Sequence, residues 1–181
     1  MRIGILTFHW ANNYGAVLQA YGLANALQTM GHTVRFIDYT PPGHGLRWWQ
    51  GWGFRSGREL PARVLWRLRF EWFRKRHLPT TPQCRSRTDL TAVSRRLDAV
   101  IVGSDQVWNG HLTGSFDPTY FLDFVDDHRC RRISYAACFG DTRQPQETVD
   151  RAGALLTRFH ALSVRNEMSA DLFESFSPAA P

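Results

Sequence analysis

The chain has 181 residues and a formal net charge of +6. With 43% apolar, 13% aromatic and 21% charged residues, it can bury a core as one domain, and it is neither collagenous nor a disordered polyelectrolyte. No stretch approaches the roughly 20 apolar residues of a membrane-spanning helix, and the apolar run after Met1 meets His9 and Asn12 too soon for a secretory leader, so the expected location is cytoplasmic.

Residues 3–7 form a short continuous apolar run, read as a buried parallel strand. Asn12-Asn13-Tyr14-Gly15 reads as a turn with helix-capping residues. From Ala16 onward Val17, Ala20, Tyr21, Ala24 and Leu27 recur at helical spacing, widened by Leu18 and Leu23, until Gly31 stops the helix. Residues 34–37 form a second strand, closed by Asp38 and Pro41-Pro42, which completes a right-handed βαβ unit. Residues 42–57 are rich in Gly and Trp without a period and read as a loop or flap. A basic amphipathic helix is expected over 61–77, with Pro61 at its first position, Leu65, Leu68 and Trp72 as its apolar stripe, and Arg63, Arg67, Arg74 and Arg76 over the rest. That stripe reads first as core and second as a membrane face.

Residues 99–102, primed by Leu97, form another buried strand, broken abruptly by Gly103-Ser104-Asp105-Gln106. A strand follows over 132–136, ending in Cys138-Phe139-Gly140. A helix over 146–158, a strand over 161–164, a helix over 166–176 and a tail over 177–181 complete the chain. The alternation predicts a single Rossmann-like α/β domain over 1–176, with an open, mostly parallel sheet and helices on both faces. Three cysteines (Cys84, Cys130, Cys138) show no metal-ligand or redox spacing, and their odd number argues against a disulfide framework; no metal site is expected.

The charge is concentrated. Residues 43–96 hold 13 Lys or Arg against three acids, a local +10, while the remainder holds 9 against 13, or −4. Five of the seven tryptophans lie in the same segment (Trp48, Trp49, Trp52, Trp66, Trp72), and Lys75 is the only lysine. Arginine's planar fork suits phosphate and carboxylate. A solvated basic face is one reading; an anionic partner is the other, whether a phosphorylated substrate, an acidic glycan or a membrane surface carrying a lipid-linked substrate. Nucleic acid is not expected, because the cations sit on one predicted helix and a loop without a nucleic-acid motif.

Open α/β sheets bind ligands beyond the carboxyl ends of their strands. The first such loop, residues 8–15, has neither G-x-G-x-x-G nor a Walker A string, yet it leads into a helix N-terminus, which favours an anion. Asn12 or Asn13 also fits a plain capping role. The third loop is denser: Ser104, Asp105, Gln106 and Asn109 offer a hydroxyl, a carboxylate and two amides, Gly103 permits a close approach, and Trp108 offers an aromatic face to a sugar ring. A structural Asx-type turn accounts for the same composition.

Gly4-Ile5-Leu6-Thr7-Phe8-His9, together with Asn12-Asn13-Tyr14-Gly15-Ala16-Val17-Leu18-Gln19-Ala20-Tyr21, resembles the opening motif of the polysaccharide pyruvyl transferase family. Ile37-Asp38-Tyr39, then Val102-Gly103-Ser104-Asp105-Gln106-Val107-Trp108-Asn109, Tyr120-Phe121-Leu122, Ser134-Tyr135-Ala136-Ala137-Cys138-Phe139-Gly140 and Ser163-Val164-Arg165 follow in the family's order. Cys138 stands where serine is commoner and Asn166 where an acid is commoner; residues 41–97 are the least family-like. Family members resemble glycosyltransferases of the GT-B type, with two facing Rossmann-like domains, and run to about twice this length. The second half carries a Thr-Asp-Ser-Phe-His-Gly-like string that this chain lacks, so the resemblance is to the N-terminal half.

The resemblance implies transfer of a pyruvyl group from phosphoenolpyruvate, a donor substrate and not a cofactor, to two hydroxyls of a glycan or lipid-linked sugar. Such a reaction needs a general acid for the enol carbon, a base for the attacking hydroxyl and cationic or N–H groups for the donor. The residues carrying those roles would be Asp105 as base and His9 as the titrating group. Asn13, Tyr14, Gly15, Gln19, Gly103, Ser104, Gln106, Trp108 and Asn109 would hold substrate, and Arg165 would form a local salt bridge. Two other readings fit the same residues: a nucleotide-sugar-dependent glycosyltransferase-like protein, and an inactive glycan-binding domain. The basic helix over 61–77 also admits contact with a membrane surface.

Overall fold

A computed structural model describes residues 1–41, 60–126, 129–140 and 144–174. Four strands form one sheet: β1 (Arg2–Leu6), β2 (Thr33–Phe36), β3 (Ala99–Gly103) and β4 (Arg131–Tyr135). Their order is β2-β1-β3-β4 and every pair is parallel, with Ile3 opposite Val34 on one side and Ala99 on the other. The expected open α/β sheet is therefore present, and it is parallel throughout. Helices α1 (Tyr14–Thr29) and α2 (Leu60–His77) cover one face; α3 (Arg87–Ser94) and α5 (Gln146–Leu156) cover the other. The short helix α4 (Gly110–Thr113), a 3-10 turn at Pro118–Phe121 and α6 (Glu167–Glu174) complete the described elements.

The two-residue period of a strand sorts the core. Ile3 and Ile5 of β1, Val34 and Phe36 of β2 and Ile101 of β3 pack on Val17, Ala20 and Ala24 of α1 and Phe70 of α2. Leu6, Val100 and Val102 point the other way, toward Leu90, Ala152, Leu156 and the Trp108–Phe121 aromatic group. Alanines on α1 let the helix lie close against the strands.

Several expectations are corrected. Residues 161–164 do not form a regular strand: they meet β4 only through the isolated bridges Ile133↔Ala161 and Ala137↔Val164. Between the bridges Ser163 N–H is shared between Ser134 O at 3.1 Å and the Ser134 hydroxyl at 3.0 Å, and that hydroxyl donates to Ser163 O at 2.9 Å. Ala136 then turns to positive φ and interrupts the pairing before the Ala137↔Val164 bridge. On the opposite edge residues 80–84, with no strand expected, bridge the end of β2 through Phe36↔Thr80 and the residues after it through Tyr39↔Cys84. Helix α3 was likewise not expected; its signal is a capping box, with Ser86 accepting from Asp89 N–H at 3.1 Å and Asp89 accepting from Ser86 N–H at 2.9 Å.

The stripe assigned to α2 is also corrected. Leu65, Leu68 and Trp72 are exposed, and the helix packs through Trp66, Phe70 and Phe73 instead. Arg74 is not a free surface cation, because its guanidinium donates to Trp10 O, Ala11 O and Asn12 Oδ1 at 2.9–3.2 Å. The Gly/Trp-rich flap, the Arg63 side chain and the 177–181 tail lie outside what is described. No helix among the described residues is long and apolar enough to cross a membrane.

Candidate active site

The strand order puts β1 beside β3 while their connections leave in opposite directions, so a crevice opens between the loops that follow them. Gln19, on the first turns of α1, spans it. Its Nε2 donates to Thr7 Oγ1 at 3.0 Å and to Ala16 O at 2.8 Å, and its Oε1 accepts from Ser104 N–H at 3.1 Å. One amide thus locks the end of β1, the helix and the start of the third loop. Asn13 is the N-cap of α1, its Oδ1 accepting from Ala16 N–H at 3.2 Å. Gly15 and Tyr14 are exposed beside it, and the Tyr14 ring lies 4.8 Å from that of Phe70.

The third loop leaves β3 through Gly103, whose φ is +110° and where a Cβ would lie 2.2 Å from Tyr135 O. Only glycine fits that approach. The peptide between Gly103 and Ser104 is cis. Asp105 follows at the crevice, half-buried, accepting from Gln106 N–H at 2.8 Å. Burial pushes its carboxyl above the ordinary range, opposed by that N–H and by the charge of Arg165. Arg165 is exposed and held by its backbone, which donates to Ala137 O at 3.2 Å; among the described residues it makes no ion pair of the local kind expected, and its charge acts on Asp105. The Asp105 carbonyl accepts from Cys138 N–H at 3.1 Å, tying this loop to the end of β4.

Other residues singled out from the sequence point inward. Trp108 is 2% exposed, donates to Tyr120 O at 2.9 Å and stacks on Phe121 at 5.6 Å. It offers no face to a sugar ring, because the loop folds it under itself. Asn109 is buried as the cap of α4, accepting from His111 N–H and donating to Gln106 Oε1, each at 3.0 Å. Gly140 makes room for that pair, since a Cβ there would come within 2.6 Å of Asn109 Nδ2. His9 is 3% exposed, with Nδ1 at 3.1 Å from Thr7 O, Nε2 at 3.8 Å from Asp38 Oδ1, and its ring 5.6 Å from that of Phe36. The open member of this pair is Asp38, which sequence reasoning left as a strand terminator although it lies just past β2 on the same edge as the other loops. Thr7 and Arg74 were also missed, the first for want of a long-range partner in sequence and the second because it reads as part of a basic face.

A family model described as polysaccharide pyruvyl transferase matches residues 13–177. The chain belongs to the polysaccharide pyruvyl transferase family. The match takes in Asn13, Gln19, the Gly103–Asn109 loop and Arg165, and it runs through the basic segment that looked least family-like in sequence. No curated protein and no solved structure matches the chain. In this pyruvyl transferase family member, the family-like strings converge: the α1 cap, the Gln19 bridge, the Asp105 loop and the Arg165 backbone all meet at the carboxyl edge of the sheet. Cys84, Cys130 and Cys138 are buried thiols. Among the described residues no group of three or more His, Cys, Asp or Glu is arranged to hold a metal ion.

Proposed function

We propose that this crevice binds the glycan acceptor of a transfer from phosphoenolpyruvate and that Asp105 accepts the proton of the attacking sugar hydroxyl. In the balanced reaction, two sugar oxygens bond to the central carbon of the donor and its methylene carbon gains a proton to become methyl. The carbon–oxygen bond to phosphate breaks, and phosphate leaves with the second hydroxyl's proton. The single observation that carries the assignment is the half-buried Asp105 carboxyl, raised by its surroundings and open at the switch point of the sheet. A base with a pKa above that of ordinary aspartate takes a hydroxyl proton more readily.

Ser104, Asp105 and Gln106 form one wall, and Asn13, Tyr14 and Gly15 at the α1 N-terminus the other. The helix dipole and free N–H groups there suit an anionic donor or acceptor group. His9 acts through Asp38, whose Oδ1 lies 3.8 Å from its Nε2. The opposite side of the cleft belongs to a second, facing domain of the GT-B type that lies outside these 181 residues, and the acceptor is a glycan or a lipid-linked sugar.

The test joins the chain to a second α/β domain of the family and follows phosphate release from phosphoenolpyruvate with glycan acceptors. Release that falls at least a hundredfold in Asp105→Asn supports the reading. Stabilisation in a thermal-shift screen by nucleotide sugars and not by phosphoenolpyruvate would replace it with a glycosyltransferase-like one.

A further inference from the structure

Helix α2 carries two unlike faces. Trp66, Phe70 and Phe73 pack toward α1 and the sheet. On the other side Val64, Leu65, Leu68 and Trp72 are between 51% and 62% exposed. At about 3.6 residues per turn these four fall on one stripe, with Arg69 and Arg76 along one border, Arg67 along the other and Lys75 within it; all four cations are exposed. The Arg76 guanidinium lies 5.8 Å from the Trp72 ring centre. Glu71, the one acid of the helix, is already paired with Arg67 at 2.9 Å.

Single exposed leucines mean little, but four large apolar side chains in one stripe bordered by cations are a surface that suits a partner. The cations require an anionic partner, and a second copy of this face would bring like charges together. Branched aliphatic side chains give nucleobases no plane to stack on. Both demands are met where acyl chains meet phosphate headgroups: leucines enter the apolar boundary, tryptophan sits at headgroup depth and arginines reach the phosphates.

We propose that the outer face of α2 docks the domain on an anionic lipid surface, through Leu65, Leu68 and Trp72 together with Arg67, Arg69, Lys75 and Arg76. The position of the helix suits this. It runs alongside α1 in the same direction, since Tyr14 meets Phe70 at 4.8 Å and Tyr21 meets Phe73 and His77 at 5.6 and 5.5 Å. Phe70 is thus level with the first residue of α1, and the ten residues before it, about 15 Å of helix at 1.5 Å per residue, project past the carboxyl edge of the sheet. Docking holds the Asp105 crevice beside the bilayer, and Arg74 couples the helix to the first loop. The proposal stands apart from the donor and acceptor assigned above, because its test reads no chemistry.

The experiment is co-sedimentation of the 181-residue chain with phosphatidylcholine vesicles, with and without one-third phosphatidylglycerol. Binding to the anionic vesicles is expected to exceed that to the neutral ones by about tenfold or more. Leu65→Gln/Leu68→Gln and Arg69→Gln/Arg76→Gln should each weaken binding by about tenfold or more, with circular dichroism unchanged. Brominated lipid should quench tryptophan emission, and Trp72→Phe should remove most of that quenching. Equal binding to both vesicles, or no binding to either, overturns the proposal. So does anionic binding that the double leucine variant leaves intact, the mark of a purely electrostatic site that an oligonucleotide would then compete for.

Discussion

The Oε1 of Gln19 accepts from the backbone N–H of Ser104 at 3.1 Å across 85 positions of sequence, while the Nε2 of the same side chain reaches Thr7 Oγ1 at 3.0 Å. The bridge fixes the distance between the two loops that flank the crevice. Gln19→Leu keeps the volume and removes the bonds, leaving the half-buried Ser104 N–H and the buried Thr7 hydroxyl without this partner. A loss of about 1–3 kcal/mol in unfolding free energy is expected from denaturant titration. Activity in the two-domain context should fall further than stability does, because the loop spacing relaxes.

Gly103→Ala should prevent normal folding. The added methyl meets Tyr135 O at 2.2 Å with φ at +110°, so both the backbone region and the β3–β4 contact oppose it; a cost of about 3 kcal/mol or more is expected. Gly22→Ala is the contrast. A Cβ there meets nothing within 4 Å, and the site lies inside α1. That substitution should raise stability by about 0.5–1 kcal/mol. Thermal melts of the two variants separate the cases.

Trp108→Phe and Asp105→Asn should have opposite effects. Trp108 is core, so its substitution loses the bond to Tyr120 O and the stack on Phe121. About 2–3 kcal/mol of stability should go, with glycan binding, read by calorimetry, unchanged. Asp105→Asn should retain the fold and lose the chemistry. Weaker glycan binding in Trp108→Phe at unchanged fold would restore the stacking role.

The pH dependence follows from the raised Asp105 pKa. A carboxyl whose folded pKa lies above its unfolded value, ordinarily about 3.9, binds more protons in the native state through the window between the two values. Stability therefore declines as pH rises through that window. Asp105→Asn removes the penalty. The variant should be more stable than the parent at neutral pH, and the difference should vanish in acid below the unfolded value. Urea midpoints from pH 3 to pH 8 check this; a difference independent of pH would contradict it.

Arg74→Lys should loosen the first loop. One nitrogen, Nη1, faces three acceptors, Trp10 O, Ala11 O and Asn12 Oδ1, and a lysine ammonium, one bond short of that position, does not reach all of them. A stability loss of about 1–2 kcal/mol is expected. Amide exchange should quicken at residues 10–13 and stay unchanged in β3.

Much was legible in the sequence. Short apolar runs, the helical period of α1 and the breaks at Asp38, Gly103 and Gly140 located the strands to within a residue or so, because β1 and β3 are buried on both faces and read as continuous apolar runs while the edge strands β2 and β4 alternate buried and exposed residues. The ordered strings also placed Asp105 at a strand end, where open sheets bind ligands. The same local logic misplaced Leu65, Leu68 and Trp72, since a helix with two apolar faces does not say which one meets the sheet.

The sequence by itself determined an α/β domain of this family, with its polar loops gathered at the strand ends. The tertiary structure alone decided the order β2-β1-β3-β4, hence which loops meet, and which polar residues of those loops face solvent. His9, Trp108 and Asn109 turn into the protein while Asp38 and Asp105 remain accessible. The physical reason is that side-chain direction in a loop is set by partners far along the chain, such as Tyr120 O for Trp108 and Ser104 N–H for Gln19, and no local pattern carries them. The charge divides in the same way: the local +10 was evident from composition, but only packing showed that Arg74 serves the first loop while Arg67, Arg69, Lys75 and Arg76 remain at the surface.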